Sequence, residues 1–510
     1  MLPFLLALIP ILLILVLMLG LRWSAVRASI TGYLAALGLA VFYFGSGIQL
    51  LAYAHLKAML SSLDVLMIIW AAFLFYRVTD EARAVQQIGE ALPHLTADRG
   101  MQALVIGWGF ASFLQSVGGF GVPVAVVAPI LVGLGFPPII AIIIPSIGSG
   151  WAVTFGSLGS AFQALLSTTG QSSAELAFPT ALFLGVAAFF TGLLVLHITS
   201  GWRGVLRLAM AALLIGLVMG SIQLIVAVNG IWNTAAFMGS IAGLLASFGL
   251  ARLLRGKQTQ DGNLDGKVLA VALSGYAILV ILTLIIQMIP QVKRGLGGWV
   301  IQVHIPELVT RLGYTTQAAA SKPISLLNHA GAVLLYAAFL AYLVYWLAGR
   351  YQKGSVGNII TGTVKRVQAP SISIFLMVCM ALVMETAGMT EALAQGLADL
   401  TSQLFPLVSP WIGALGAFMT GSNTNSNVVF GLLQSRTAQL LGYSVAIILA
   451  SQTAGAGLAS VIAPAKLVVG TSTADLVGRE GEVMRKMLPY IIVLVALISL
   501  LTAIGVWFMV

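Results

Sequence analysis

Charge is what this sequence has least of. Only 8% of its 510 residues are Asp, Glu, Lys or Arg, where an ordinary soluble domain has about 25%. Acid is the scarcer sign, with 15 Asp and Glu against 25 Lys and Arg. There is one cysteine, Cys379, inside an apolar run, which excludes a disulfide framework. Five histidines without an H-E-x-x-H pattern leave no metal-hydrolase signature. No Ser-His-Asp set assembles from elements of one depth, so a membrane-embedded enzyme has no residues to work with. What abounds is apolar: 59% of the chain is hydrophobic and the mean hydropathy is +1.03. No soluble fold of this length hides so much apolar surface, so the chain is an all-α polytopic membrane protein.

Apolar runs at Leu2–Leu21, Ile30–Phe44, Val65–Phe75, Phe178–Ile198, Leu208–Val226, Thr234–Leu250, Val268–Ile289, Ala330–Leu347, Ile372–Met384 and Leu488–Val510 mark spans or their cores. With the broken regions below they predict about 12 to 14 membrane segments. Leu2–Gly20 lacks a basic flank and a small-residue cleavage site, and reads as a first span rather than a signal peptide. The net charge of +10 comes from bases scattered over short loops, which excludes a nucleic-acid surface. Placing Leu2 outside gathers most of them, from Arg22 and Arg27 through Arg252, Arg255 and Lys257 to Arg485 and Lys486, on the cytoplasmic side. Lys57, Lys293, Arg294, Arg311 and Lys322 remain outside. The expected location is the inner (plasma) membrane. Residues 258–266 (Q-T-Q-D-G-N-L-D-G) form the expected cytoplasmic linker between an N-terminal half, 1–257, and a C-terminal half, 267–510. Asp80–Gly100 reads as a cytoplasmic connection with an amphipathic helix, and Gln291–Leu326 as a partly interfacial outer segment.

Two regions, 101–165 and 404–468, resist division into simple spans. Each is apolar but broken twice, first at Gln115–Pro123 and Thr420–Asn427, then at Ser146–Ser160 and Ser451–Ser460. They align without gaps: Phe113 falls on Phe418, Val124 on Val429, Ala141-Ile142-Ile143 on Ala446-Ile447-Ile448, Ser146 on Ser451 and Gly150 on Gly455. Matching interrupted segments in two halves point to a transporter's binding site. Close-packed small-residue helix faces are the competing explanation for the glycines, less so for the Asn-Thr-Asn-Ser-Asn run.

These stretches resemble the lactate permease family. The resemblance is carried by Gly118–Gly135 with Phe136-Pro137, Ala152–Gly156 (A-V-T-F-G), Thr420–Asn427, the S-Q-T-A-G to Ile462-Ala463-Pro464 segment, and Leu476–Glu480. It implies proton-coupled import of lactate or glycolate. It also implies two inverted repeats, each with a re-entrant hairpin and a broken transmembrane helix. This chain departs from the family pattern at four places. Asn423 stands where an Asp is usual, Ser149-Gly150-Trp151 where Asn-Thr precedes A-V-T-F-G, Ser460 where Lys is usual, and Lys466 where Ser is usual.

A small 2-hydroxy acid needs donors for its carboxylate, a partner for its hydroxyl and an apolar wall. Half-helix N-termini at Gly118, Gly119 and Gly121, and at Gly421 and Ser422, provide free N–H groups and the positive end of a dipole. Gln115, Ser116, Asn423, Thr424, Asn425, Ser426 and Asn427 supply side chains, and Ser149, Trp151, Thr154, Gln452 and Thr453 complete the expected pocket. About half are expected to cap and mend broken helices instead. Arg436 and Lys466 are the candidates for balancing the anion's charge, although Arg436 can also snorkel to the interface.

Glu385, ending an apolar run, is the candidate proton carrier, or else an interfacial carboxylate. Asp64 is read as interfacial, His197 and His329 as packing or interface residues, and His55, His94 and His304 as loop residues without a role. No cofactor is expected beyond the coupling ion: H+, or Na+ held by carbonyls and hydroxyls at Asn423–Asn427. The alternative function is Na+-coupled or exchange transport of another organic anion, such as a keto-acid, dicarboxylate or sulfonate. A passive channel lacks its rings or filter here. The expected partners are the substrate and the lipid bilayer; the oligomeric state stays open.

Overall fold

The computed structural model describes residues 2–21, 23–92, 96–119, 121–253, 266–321 and 323–508. Most of the expected linker, with Arg255 and Lys257, lies outside the described residues, as do Arg22, His94 and Lys322. Eight described helices are long and apolar enough to cross a membrane, nine if the bent pair Pro138–Ala152 and Gly156–Thr169 is one span. That total treats 173–253 as one stretch, yet it folds back twice. Gly185 lies against Gly220, and Gly239 against Met219, so its parts run antiparallel. Counting those passes, the first apolar helix and the hairpins below gives about the 12 to 14 segments expected from composition.

The 34-residue helix Ile48–Glu81 and the 32-residue helix Ser355–Thr386 pack along each other as a scaffold that joins the two halves. At one end of this pair Lys57 bonds Glu385 at 2.9 Å. At the other, Glu81 accepts from Asn358 at 2.9 Å. The distribution of bases makes the Lys57 end the outer one.

The first broken region enters from the cytoplasmic end and returns there. Arg99, before the ascending arm, donates to the carbonyl of Gly135, beyond the descending arm, at 3.4 Å, and its guanidinium lies over the Phe136 ring. The arms are Ala111–Val117, preceded by a π-helical segment, and Val122–Gly133. The second hairpin pairs Phe405–Thr420 with Asn423–Leu440. Its open end is closed by Phe405 packed with Ala438, and it sits on the Met389–Thr401 helix just beyond Glu385. The two hairpins therefore enter from opposite ends of the scaffold.

Each hairpin is followed by an interrupted helix. In the first, Pro138–Ser149 gives way at Gly150–Phe155 to Gly156–Thr169, with a bend of 49°. Ser157 and Leu158 hold left-handed backbone there, at φ 46° and 54°, a strain of about 1–3 kcal/mol each that packing must hold in place. In the second, the sequence placed a break at Ser451–Ser460, but the helix runs unbroken from Val445 to Ala459 and stops at Ser460–Ala463. The cause is Pro464, which pushes Ala463 to extended backbone at ψ 137°. Small residues at 454–457 pack; they do not break the helix.

The outer segment holds the only strands among the described residues. Val300–Ile301, His304–Ile305 and Leu308–Val309 pair antiparallel with Ile324–Ser325, Ala319–Ala320 and Thr315–Thr316. This ladder is an exception to the all-α expectation, and Ile305 and Leu308 pack it onto Leu50.

Candidate functional site

The polar residues singled out in the sequence divide into three groups. The first knots the two interrupted helices to the second hairpin. Asn423 donates from Nδ2 to Thr154 Oγ1 at 3.0 Å and to the Thr453 carbonyl at 3.2 Å. Thr154 Oγ1 donates to that same carbonyl at 3.0 Å. Asn427 Nδ2 donates to Thr453 Oγ1 at 2.8 Å and to the Ala161 carbonyl at 2.9 Å. All of these side chains are buried. An amide fits position 423 because its neighbours include a carbonyl oxygen that wants a donor. Unprotonated, an Asp there would set its charge against that carbonyl.

The second group borders a cavity of about 250 Å³, lined among others by Ser24, Pro370, Ser373, Gly421, Ser422, Asn425 and Lys466. Gly421 ends the descending arm with φ 69° and Ser422 caps the next helix, its hydroxyl accepting from Asn425 N at 3.2 Å. The N-terminus of an 18-residue helix thus borders the cavity, with its dipole suited to an anion. Lys466 adds an amino group, and its Nζ donates to Ser460 Oγ at 2.9 Å. Lys466 and Ser460, two of the departures from the pattern that the resemblance implies, touch each other. Asn425 Nδ2 reaches Ser373 Oγ at 3.4 Å, while its buried Oδ1 has no hydrogen-bond partner, nor does Asn427 Oδ1. A buried, unpaired acceptor costs about 1–3 kcal/mol.

The third group is bonded elsewhere. Ser116 Oγ donates to the Ser112 carbonyl at 2.7 Å and meets Ser240 Oγ at 3.2 Å. Trp151 Nε1 donates to Ser112 Oγ at 2.9 Å, and Ser149 to the Ser146 carbonyl at 3.3 Å. Ser426 donates to the Gly413 carbonyl at 2.8 Å, and Gln452 joins Ser426, Gln434, Ser409 and Ser451 in a buried chain. These bonds mend helices and sew the hairpin to its neighbour. Thr424 and Gln115 are buried. Gly118 and Gly121 of the first tip face Tyr76 and Val469. At Gly119, φ is 56° and a Cβ would fall 2.0 Å from Ser157 Oγ. This tip therefore fits hard against the strained break beside it.

Arg436 stands apart from both polar groups. It lies near the far end of the helix that begins at Asn423, 45% exposed, and pairs with Glu391. A helix this long puts about 20 Å between Arg436 and the Asn cluster, so the expected charge-balancing role has only Lys466 in place. Glu385 is about one-quarter exposed and borders an outer-side cavity of about 220 Å³. Asp64 is buried, 3% exposed, and bonded to His329 at 2.8 Å. Sequence reasoning missed this pair because the partners are far apart in the chain and each borders an apolar run.

Two hairpins entering from opposite ends, two interrupted helices and a buried polar knot where they meet define a helical membrane transporter. The sequence profile of the L-lactate permease family matches residues 3–509, and the chain belongs to that family. It is a multi-pass inner-membrane transporter of small organic anions and not an enzyme. The L-lactate permease of Escherichia coli (strain K12) is 27% identical over 85% of this chain and 83% of its own length. The glycolate permease GlcA of the same strain is 27% identical over 98% and 94%. The L-lactate permease of Bacillus subtilis (strain 168) is 27% identical over 94% and 93%. Among solved structures, MtrF of Neisseria gonorrhoeae superposes with a TM-score of 0.54 at 12% identity, over 95% of this chain and 96% of that one, a likeness of fold alone.

Proposed function

We propose that the protein carries a small 2-hydroxy monocarboxylate, L-lactate or glycolate, inward together with protons. The observation that carries this reading is the cavity at Gly421–Asn425 and Lys466. The helix N-terminus and the Lys466 ammonium suit a carboxylate, and the unpaired Asn425 Oδ1 suits the 2-hydroxyl. The relatives named L-lactate permease and glycolate permease support the same substrate class. The opposed hairpins and gapless sequence alignment support two inverted repeats, whose rocking would expose a central site to either side in turn. Glu385, at the outer cavity and held by Lys57, is the carboxylate proposed to admit the proton.

Purified protein in proteoliposomes tests this directly. Labelled L-lactate is expected to accumulate when the outside is made acidic, and Glu385→Gln is expected to reduce that accumulation. Accumulation driven by a Na+ gradient, with none from a pH gradient, would replace the proton reading with the sodium one. Accumulation only of a keto-acid, dicarboxylate or sulfonate would replace the substrate.

A further inference from the structure

Asp64 sits near the middle of the scaffold helix Ile48–Glu81 and is buried. Three of the described side chains donate to its carboxylate. His329 Nε2 reaches Oδ1 at 2.8 Å, while Gln163 Nε2 and Ser167 Oγ both reach Oδ2. His329 caps the helix Ala330–Leu347, and its Nδ1 accepts the Gly331 N–H at 3.2 Å. With that lone pair engaged, the ring hydrogen belongs on Nε2, pointing at Asp64. In this tautomer the imidazole donates to the Asp64 carboxylate, which is the acidic group of the cluster.

We infer that Asp64 takes up the transported proton, and that its protonation unlatches the outer half of the first interrupted helix. This rests on the proton-symport reading and adds a residue and a movement to it. Gln163 and Ser167 belong to that half-helix, Gly156–Thr169, so the ionised carboxylate ties it to the scaffold. A proton on Oδ2 turns an acceptor into a donor. Ser167 can rotate its hydroxyl to accept, and the Gln163 bond loses the charge that strengthens it, so the tie to the scaffold weakens. The half-helix is hinged at the left-handed residues Ser157–Gly159. It also carries the Ala161 carbonyl that holds Asn427, and it packs against the second hairpin. Its release is therefore felt at the substrate site.

Asp64 and Ser167 border the outer cavity that also holds Glu385, Lys57 and Tyr53, which provides a path from the outer side. Among the described residues, the ionisable groups facing Asp64 include His329 at the start of its helix; Cys379 lies in the core cluster of the neighbouring Val65, and His55 is turned to Tyr33 at 2.6 Å. The half-helix itself contributes none.

The test compares two modes in proteoliposomes. Asp64→Asn is expected to keep exchange of labelled for unlabelled L-lactate while lowering pH-gradient-driven accumulation at least tenfold. Ser167→Ala removes one donor to the charged form and makes protonation easier, so half-maximal uptake moves to higher pH by about half a unit to one unit. This second variant decides the matter if Asp64→Asn does not fold. Wild-type accumulation by Asp64→Asn, or an unmoved pH profile in Ser167→Ala, overturns the inference and leaves symport standing. If the wild type itself shows no response to a pH gradient, the symport reading fails and the role of Asp64 falls with it.

Discussion

The two hairpin tips do opposite jobs with related grammar. The first, around Gly118–Gly121, is built by exclusion: glycine backbone presses on Ser157 and Tyr76, where a Cβ would fall 2.0 and 3.1 Å away. The second, Thr420–Asn427, is built by polar side chains, some spent on neighbouring helices and one, Asn425, lining a cavity while its buried Oδ1 has no partner. One tip is shaped by close backbone packing and the other by polar side chains, and only the second borders the cavity proposed for the substrate.

Substitutions can break that comparison, and the largest effect belongs to the second tip. Lys466→Met removes the cavity's charge, and kcat/KM for L-lactate uptake is expected to fall about 100-fold, near 2–3 kcal/mol. Next comes the first tip: Gly119→Ala forces a Cβ onto Ser157 Oγ at left-handed φ, and thermal unfolding in detergent should show a loss of about 2 kcal/mol. Its counterpart Gly421→Ala meets nothing nearer than 3.6 Å, so only backbone strain of about 1 kcal/mol is expected. Equal losses at both glycines would erase the distinction between the tips.

Asn425→Ala sharpens the chemical half of the comparison. Affinity for L-lactate should drop about tenfold while that for propionate, which lacks the hydroxyl, stays level. Competition of each acid against labelled substrate measures both. The smallest effect is expected at Arg436→Ala, where an exposed ion pair is lost far from the cavity. Uptake should remain within about twofold of wild type.

Much of this was legible in the chain itself. The charge deficit and apolar runs gave the class, and the two polar-glycine breaks gave the hairpin tips. Lys466 stood out as a base inside an apolar region. Other features were not readable for physical reasons. Ser116, Ser149, Trp151, Ser426 and Gln452 have the composition of ligands, yet each bonds a neighbouring backbone or side chain. Composition does not say where a hydroxyl's hydrogen goes. Arg436 and Lys466 looked equivalent because both interrupt the same region, and only helix direction separates them.

The sequence by itself determined that this is a helical membrane protein with two interrupted regions, because period, hydropathy and broken runs are local properties. Tertiary structure decided which polar groups remain unpaired and which become partners. Asn425 kept a free acceptor, Asn423 became a bridge, and Asp64 met His329 across a separation of 265 residues. In a bilayer core without water, a polar side chain has only protein groups to pair with. Which partner it finds is settled only when distant helices pack.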